Sequence, residues 1–218
     1  MTARLRLGAA LAVLATMIVL SCSLHAPLIN SVSHRLVVHP DGERLSVFAG
    51  VSDQDGSADL AWLFVVHDQS ELSWTLGAGD WQIQEEGSLL FVGSNGLSAP
   101  GLLPRGRYRV VLVDLAGERD ERSFTLASPD TSGYALPTAA MSGPASVLVT
   151  CSWPQAMVLF TDSGGNVTRT AAVSSGIHAL DALWGDSGWR EGSDWLSVYA
   201  LDPKSELGMM SWKIRLPD

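Results

Sequence analysis

The sequence predicts an all-β protein, two tandem β-sandwiches behind an amino-terminal export signal, and three observations lead there. Short runs rich in Val, Leu, Phe, Tyr and Trp follow one another, each closed by Gly, Asp, Ser or Pro. No stretch of helical length carries an apolar period of 3.6 residues. After one segment poor in charge, the same strand-and-turn rhythm starts again.

The first element is the signal, residues 1–21. Arg4 and Arg6 precede an apolar run from Leu7 to Leu20, broken only by Thr16, which ends at the small Ser21 and then Cys22. This is the order of a secretory n-region, h-region and cleavage site, and the run is shorter than the roughly 18 residues of a spanning helix. Val19-Leu20-Ser21-Cys22 resembles the lipobox of bacterial lipoproteins, with Leu20 bulkier than that pattern prefers. The resemblance implies that the Cys22 thiol takes a diacylglyceryl group, that the chain is cut before it, and that the freed amine is acylated, usually by palmitate. One acyl chain binds a bilayer only marginally, whereas two hold it stably. Residues 22–30 would then be a lipidated tether in the bacterial cell envelope. Ser23, where retained lipoproteins of this type carry Asp, points by the same resemblance to the outer membrane.

Without the signal the chain has 197 residues, enough for one large or two small cored domains. At 46% hydrophobic and 17% charged it is not a disordered tail. Removing Arg4 and Arg6 leaves 12 basic against 23 acidic residues, a net charge of −11, which phosphate backbones repel and which excludes nucleic acid as a partner. With Cys22 lipidated, Cys151 has no disulfide partner. It sits in the apolar run Ser146 to Trp153 with no base or cation beside it in sequence, as a buried structural thiol would.

Eight strands are expected at His34 to His39, Arg44 to Ser52, Leu60 to His67, Leu72 to Leu76, Trp81 to Gln84, Ser88 to Val92, Arg107 to Leu115 and Arg122 to Leu126. Their spacing is that of a β-sandwich over 31–127. Tyr108, Val110 and Leu112 alternate with Arg107, Arg109 and Val111, giving the penultimate strand one apolar face. The run Pro104-x-Gly-x-Tyr-x-Val-x-Leu-x-Asp-x-x-Gly117 resembles the F strand and F–G turn of bacterial immunoglobulin-like and fibronectin III-like domains. That resemblance places Tyr108 at a tyrosine corner, its hydroxyl bonded to upstream backbone. Val51 to Leu60 is similar to the B–C loop of such domains.

Residues 128–143, rich in Pro, Ser, Gly and Ala, are expected as linker, and 144–218 as a second, diverged sandwich. Met157 to Asp162 followed by Val167 to Thr170 is similar to Leu63 to Asp68 followed by Leu72 to Thr75. Gly192 to Asp202 running into Met209 to Leu216 is similar to Gly106 to Asp114 running into Arg122 to Leu126. The offsets are near one sandwich length, as tandem copies would give, although the shared rhythm of all sandwiches gives the same.

Few constellations could carry chemistry. Asp53, Asp55 and Asp59, with Gly56 between them, offer the oxygen ligands that Ca²⁺ takes, yet Asp-x-Asp-Gly is equally a plain turn and departs from the EF-hand spacing. Trp184, Trp189 and Trp195 bracket a Gly/Asp/Ser-rich stretch, either as a ligand-contact surface on loops at a sandwich end or as a plug for a small core. Trp62 alternates with Leu60 and Phe64 as if on the inner face of its strand. Gly185-Asp-Ser-Gly188 resembles the nucleophile loop of chymotrypsin-like proteases. It lacks the second Gly and the Ala-Ala-His-Cys context of that family, and only His178 with Asp181 could serve Ser187. The histidines at 25, 34, 39, 67 and 178 are not at metal-ligand spacing.

The expectation is a lipid-anchored, non-catalytic envelope protein that binds or scaffolds through its sandwich-end loops. Its partner would be another envelope or extracellular protein or a glycan, and no cofactor is required unless Ca²⁺ occupies the aspartate loop. The alternatives are a surface adhesin for host or matrix ligands and an envelope hydrolase acting on glycan or peptide.

Overall fold

The computed structural model describes residues 25–54, 56–86 and 89–217. The first sandwich contains β1 (Leu28–His39), β2 (Gly42–Ser52), β3 (Leu60–His67), β4 (Ser73–Gly77), β5 (Gln82–Glu86), β6 (Leu89–Leu97), β7 (Gly106–Asp114) and β8 (Arg119–Leu126). One layer runs β1-β2-β6-β5 and the other β4-β3-β7-β8. This is the immunoglobulin-like order, and each strand coincides with one expected from the sequence. Strand β1 already begins at Leu28, inside the stretch expected as tether.

Alternation decides the core. Tyr108, Val110 and Leu112 of β7 are fully buried against Leu45, Val47 and Val92 of the other layer. Tyr108 donates its hydroxyl to the Pro104 carbonyl at 2.6 Å, closing the corner where the sequence placed it. Burial pushes this phenol up to about 12, so it stays a donor. Tyr108→Phe is expected to cost about 1 kcal/mol by leaving that carbonyl without its donor, read as a shift in the urea unfolding midpoint; an unchanged midpoint would remove the corner from the account.

Strand β3 corrects the sequence reading. A bulge between Leu60 and Trp62 inserts one residue against β7, and a one-residue slip exchanges the two faces of a strand. Leu63, Val65 and His67 therefore face the core, while Trp62 is 47% exposed. His67 takes a core position because both ring nitrogens are satisfied: the Ser70 N–H reaches Nδ1 at 3.1 Å, and Nε2 donates to the Arg105 carbonyl at 3.1 Å.

The second sandwich contains β9 (Thr138–Gly143), β10 (Ser146–Thr150), β11 (Gln155–Thr161), β12 (Val167–Ala172), β13 (Gly176–Ala179), the short helices α1 (Leu180–Trp184) and α2 (Trp189–Gly192), then β14 (Trp195–Asp202), β15 (Leu207–Met210) and β16 (Ile214–Arg215). Strand β9 occupies the end of the segment read as linker. Its Ala, Ser, Thr and Gly look like linker chemistry, but Ala139 and Met141 lie against the core. Three strands, β13-β10-β9, cover β12-β11-β14-β15, which repeats the order β4-β3-β7-β8 of the first sandwich.

The two sandwiches are not merely consecutive. Strand β15 pairs parallel with β1, Val37 opposite Gly208 and Val38 opposite Met209, so a single sheet runs β12-β11-β14-β15-β1-β2-β6-β5 through both. Leu207 of β15 is packed into the first core. Because successive side chains alternate faces, Leu36 and Val38 of β1, Met209 of β15 and Val158 of β11 share one face. Both smaller sheets pack on that face, and among the described residues no element covers the other across the junction.

Candidate functional site

The open face carries a recess at the junction of the sandwiches. Strand β1 presents Ser33, Arg35, Val37 and His39; β2 adds Ser46, β6 Asn95, β11 Leu159, β12 Val167, β14 Tyr199 and β15 Met210, around about 510 Å³. A second recess of about 390 Å³ shares His39, Leu159, Val167 and Met210 and extends past Arg44, Thr161, Trp212 and Lys213. The two form one groove crossing the strands.

Local structure explains its shape. After Met210 the final strand is interrupted: Ser211 turns inward, its hydroxyl accepting the Val198 N–H at 2.8 Å, and pairing with β14 resumes only at Ile214. Such an irregularity re-aims side chains, and Trp212 stands 65% exposed on the rim beside Lys213. On the floor, the Tyr199 ring lies over Gly208, where a Cβ would come within 2.8 Å of its hydroxyl. Arg35 donates to that hydroxyl from across the junction at 3.4 Å. Thr161 has a buried hydroxyl without a hydrogen-bond partner among the described residues.

The electrostatics run against those of the whole molecule. Among the described residues the groove holds Arg35, Arg44 and Lys213 but one acidic residue, Asp41, paired with Arg44 at 2.8 Å. Burial lowers the pKa of His39, and Arg44 and Lys213 lower it further against the opposing pull of Asp41. Burial also lowers His34, against a backbone hydrogen bond with Thr125 and the charge of Glu206. Both rings therefore hold a proton less readily than a free imidazole.

A buried ion pair fixes the chain below the groove. Glu43, at the start of β2, accepts hydrogen bonds from Arg105 Nη1 at 2.9 Å and Nη2 at 2.7 Å, from the Leu103 N–H at 2.8 Å and from the Thr131 hydroxyl. Arg105 also donates to the carbonyls of Ser128 and Pro129. The connection between the sandwiches is thus held to the first one. Beyond it, Tyr134 packs on the first core and stacks on Trp153 of the second at 5.4 Å.

The residues singled out from the sequence fall elsewhere. Cys22 and Asp55 lie outside the described residues. Asp53 and Asp59 bracket a short turn in which the Gly56 N–H reaches the Asp53 carbonyl, and among the described residues no three His, Cys, Asp or Glu side chains come together as metal ligands do. Of the two readings of Trp189, contact residue or core plug, the contact assignment is corrected and the plug holds: it is 0% exposed, with its indole N–H on Asp181 Oδ1 at 2.6 Å. Trp184 meets Phe160 edge-on at 5.1 Å, and Trp195 is half-buried in β14. These indoles close the sandwich end instead of presenting a flat surface. Asp181 is engaged by Trp189 and Arg190, while His178 Nε2 donates to the Ser174 carbonyl, so neither is set to serve Ser187. Cys151 is a half-buried free thiol, 3.8 Å from the Trp153 carbonyl.

The groove residues Arg35, Tyr199, Trp212 and Lys213 were missed because they meet only through the β15–β1 pairing. The local sequence hides the break as well: Met210, Trp212, Ile214 and Leu216 alternate as they would along one face of an uninterrupted strand.

No family model and no curated protein matches the chain. Among solved structures it is similar to the N-terminal Ig1-2 module of the Drosophila receptor protein tyrosine phosphatase DLAR, at 13% identity and a TM-score of 0.46, covering 88% of this chain and 98% of that one. It is also similar to dimeric latent PorU from Porphyromonas gingivalis, at 14% identity and a TM-score of 0.36, covering 88% of this chain but 20% of that one. Murine CEACAM1b follows at 15% identity and a TM-score of 0.27, over 85% of this chain and 98% of that one. The chain thus spans about a fifth of the length of PorU. At these TM-scores the likenesses assign no function.

Proposed function

We propose that this protein is a lipid-anchored binding platform of the bacterial envelope, without a catalytic centre, that engages its partner across the junctional groove. One observation carries the reading: a single sheet passes through both sandwiches and leaves an open face on which residues of each line the same groove. Two domains whose only task was spacing would have no need of that continuity. The lipobox supports the anchor. From Cys22 to the start of β1 is six residues, which reach at most about 20 Å, so the first sandwich would sit close to the bilayer. Strand β1 runs away from that anchor towards the second sandwich, carrying the groove outward.

In vivo photo-crosslinking tests this. A benzoylphenylalanine is placed at Val167 or Ser46, at the two ends of the groove, and at Ile177, exposed on the three-stranded sheet, as control. Discrete adducts from both groove positions, absent from Ile177 and lost when Cys22→Ser releases the chain from the membrane fraction, are expected. Adducts no different from those of Ile177 would overturn the groove as the binding surface. Retention of Cys22→Ser in membranes would overturn the anchor. Protease shaving of intact cells then separates an outward-facing adhesin from a subunit facing the periplasm.

A further inference from the structure

Resting on that reading of the groove, we infer that its occupant is an extended acidic polypeptide segment of a partner protein, with carboxylates meeting Arg35 and Lys213 and aliphatic side chains on the floor between them. Charge is the first argument. The chain carries a net charge of −9, yet among the described residues the groove sets three basic side chains against Asp41 alone. Asp41 is already committed to Arg44, and among the described residues no carboxylate pairs with Arg35 or Lys213. A basic strip on an acidic body steers an acidic partner into one place and repels it elsewhere.

Shape is the second argument. The lining residues come from β12, β11, β14, β15, β1, β2 and β6, neighbours in that order. Six inter-strand spacings of about 4.8 Å make a path of about 29 Å, which an extended chain at about 3.3 Å per residue fills with about nine residues. An extended chain follows such a course from end to end.

The floor distinguishes a peptide from an anionic glycan. Val37, Leu159, Val167 and Met210 are aliphatic or thioether side chains, suited to Leu, Ile or Val of a bound strand, with Met210 adaptable to their exact shape. Sugars prefer a flat ring to stack on, and the floor ring, Tyr199, is folded over Gly208 with its hydroxyl engaged by Arg35. Trp212, exposed on the rim, is the aromatic anchor that protein interfaces favour.

The test uses the full-length protein in detergent micelles and three probes: the nonapeptide Glu-Val-Asp-Leu-Glu-Val-Asp-Leu-Glu, capped at both ends; its neutral counterpart with Gln and Asn; and an oligogalacturonate of similar length and charge. Calorimetry at 50 mM and 500 mM salt reads the affinities. The acidic peptide is expected to bind at least about tenfold more tightly than the neutral one at low salt, with the difference largely screened at high salt. The pair Arg35→Gln and Lys213→Gln should lower its affinity by about tenfold, and Trp212→Ala should lower the affinity of both peptides. Equal binding of the two peptides, or no effect of the charge variants, overturns the inference. Binding of the oligogalacturonate in place of the acidic peptide overturns it in favour of a glycan. In each of these outcomes, crosslinking from Val167 and Ser46 still decides whether the groove is a binding surface at all.

Discussion

Trp189→Ala is expected to cost the second sandwich about 4 kcal/mol, the largest loss from any single side chain considered for this protein. Trp189 has no exposed surface and is packed in the cluster that includes Phe160, Leu180, Leu196 and Val198. Its indole N–H reaches back to Asp181, so one side chain joins α2 to α1 and closes the end of the sandwich. Alanine removes the packing and leaves a cavity that two helices of five and four residues cannot collapse to fill. Asp181 itself contributes little to the loss, because its carboxylate is accessible to water once the indole is gone. Trp189→Phe, which keeps much of the volume and loses the hydrogen bond, should cost roughly half as much. Urea unfolding followed by circular dichroism measures both, and a loss below about 1.5 kcal/mol for alanine would contradict this role. The shape of the curve is a second readout. Since β15 pairs with β1 and Leu207 is built into the first core, the destabilised protein should still unfold in one transition. Two separated transitions would mean that the sheet junction does not couple the sandwiches.

The same residues show what a sequence discloses. The strands of the first sandwich were legible because each is a short apolar run between turn formers, and Tyr108 because its corner depends on neighbours four residues away. Trp62 was misplaced because a bulge reverses faces without leaving a mark on composition. The sequence leaves Trp189 between a contact surface and a core plug because its neighbours Gly185 to Gly188 are loop chemistry, whereas the cluster that buries it includes Val147 and Phe160, far upstream in the chain. Strand β9 was hidden for the opposite reason: its inward residues, Ala139 and Met141, are weakly apolar beside polar or small outward ones. The groove was beyond sequence reasoning altogether. It exists through a parallel pairing between residues 37–38 and 208–209, and long-range register has no local signature.

Glu43→Ala should cost about 3 kcal/mol, the low end of the range for breaking a buried ion pair, because Arg105 keeps partial access to water. The loss has three parts. The Leu103 N–H and the Thr131 hydroxyl lose their acceptor, and the guanidinium keeps only the carbonyls of Leu103, Ser128 and Pro129. The pH dependence identifies the cause. Burial pushes the Glu43 carboxyl up, but the hydrogen bonds from Arg105, Thr131 and Leu103 outweigh it and hold the pKa below the ordinary 4.5. An acid with a lowered folded pKa stabilises the fold above its unfolded pKa, and that contribution disappears as the pH falls through the folded value. His34 and His39, whose folded pKa values lie below 6.5, act earlier: the unfolded chain takes up their protons more readily, so stability declines once the pH drops below 6.5. Two limbs of acid destabilisation are therefore expected, and Glu43→Gln should remove only part of the second. Measured by urea midpoint, the gap between wild type and Glu43→Gln should stay constant from pH 8 to pH 5 and narrow below 4.5; a gap unchanged at pH 3 would mean that the ionised carboxylate is not what holds Arg105. The variant also separates stability from function. Because Glu43 holds the connection between the sandwiches and does not line the groove, its loss should weaken crosslinking from Val167 and Ser46 only if the angle between the domains matters to the partner. The β15–β1 pairing fixes that angle independently, so crosslinking should survive the substitution wherever the protein remains folded.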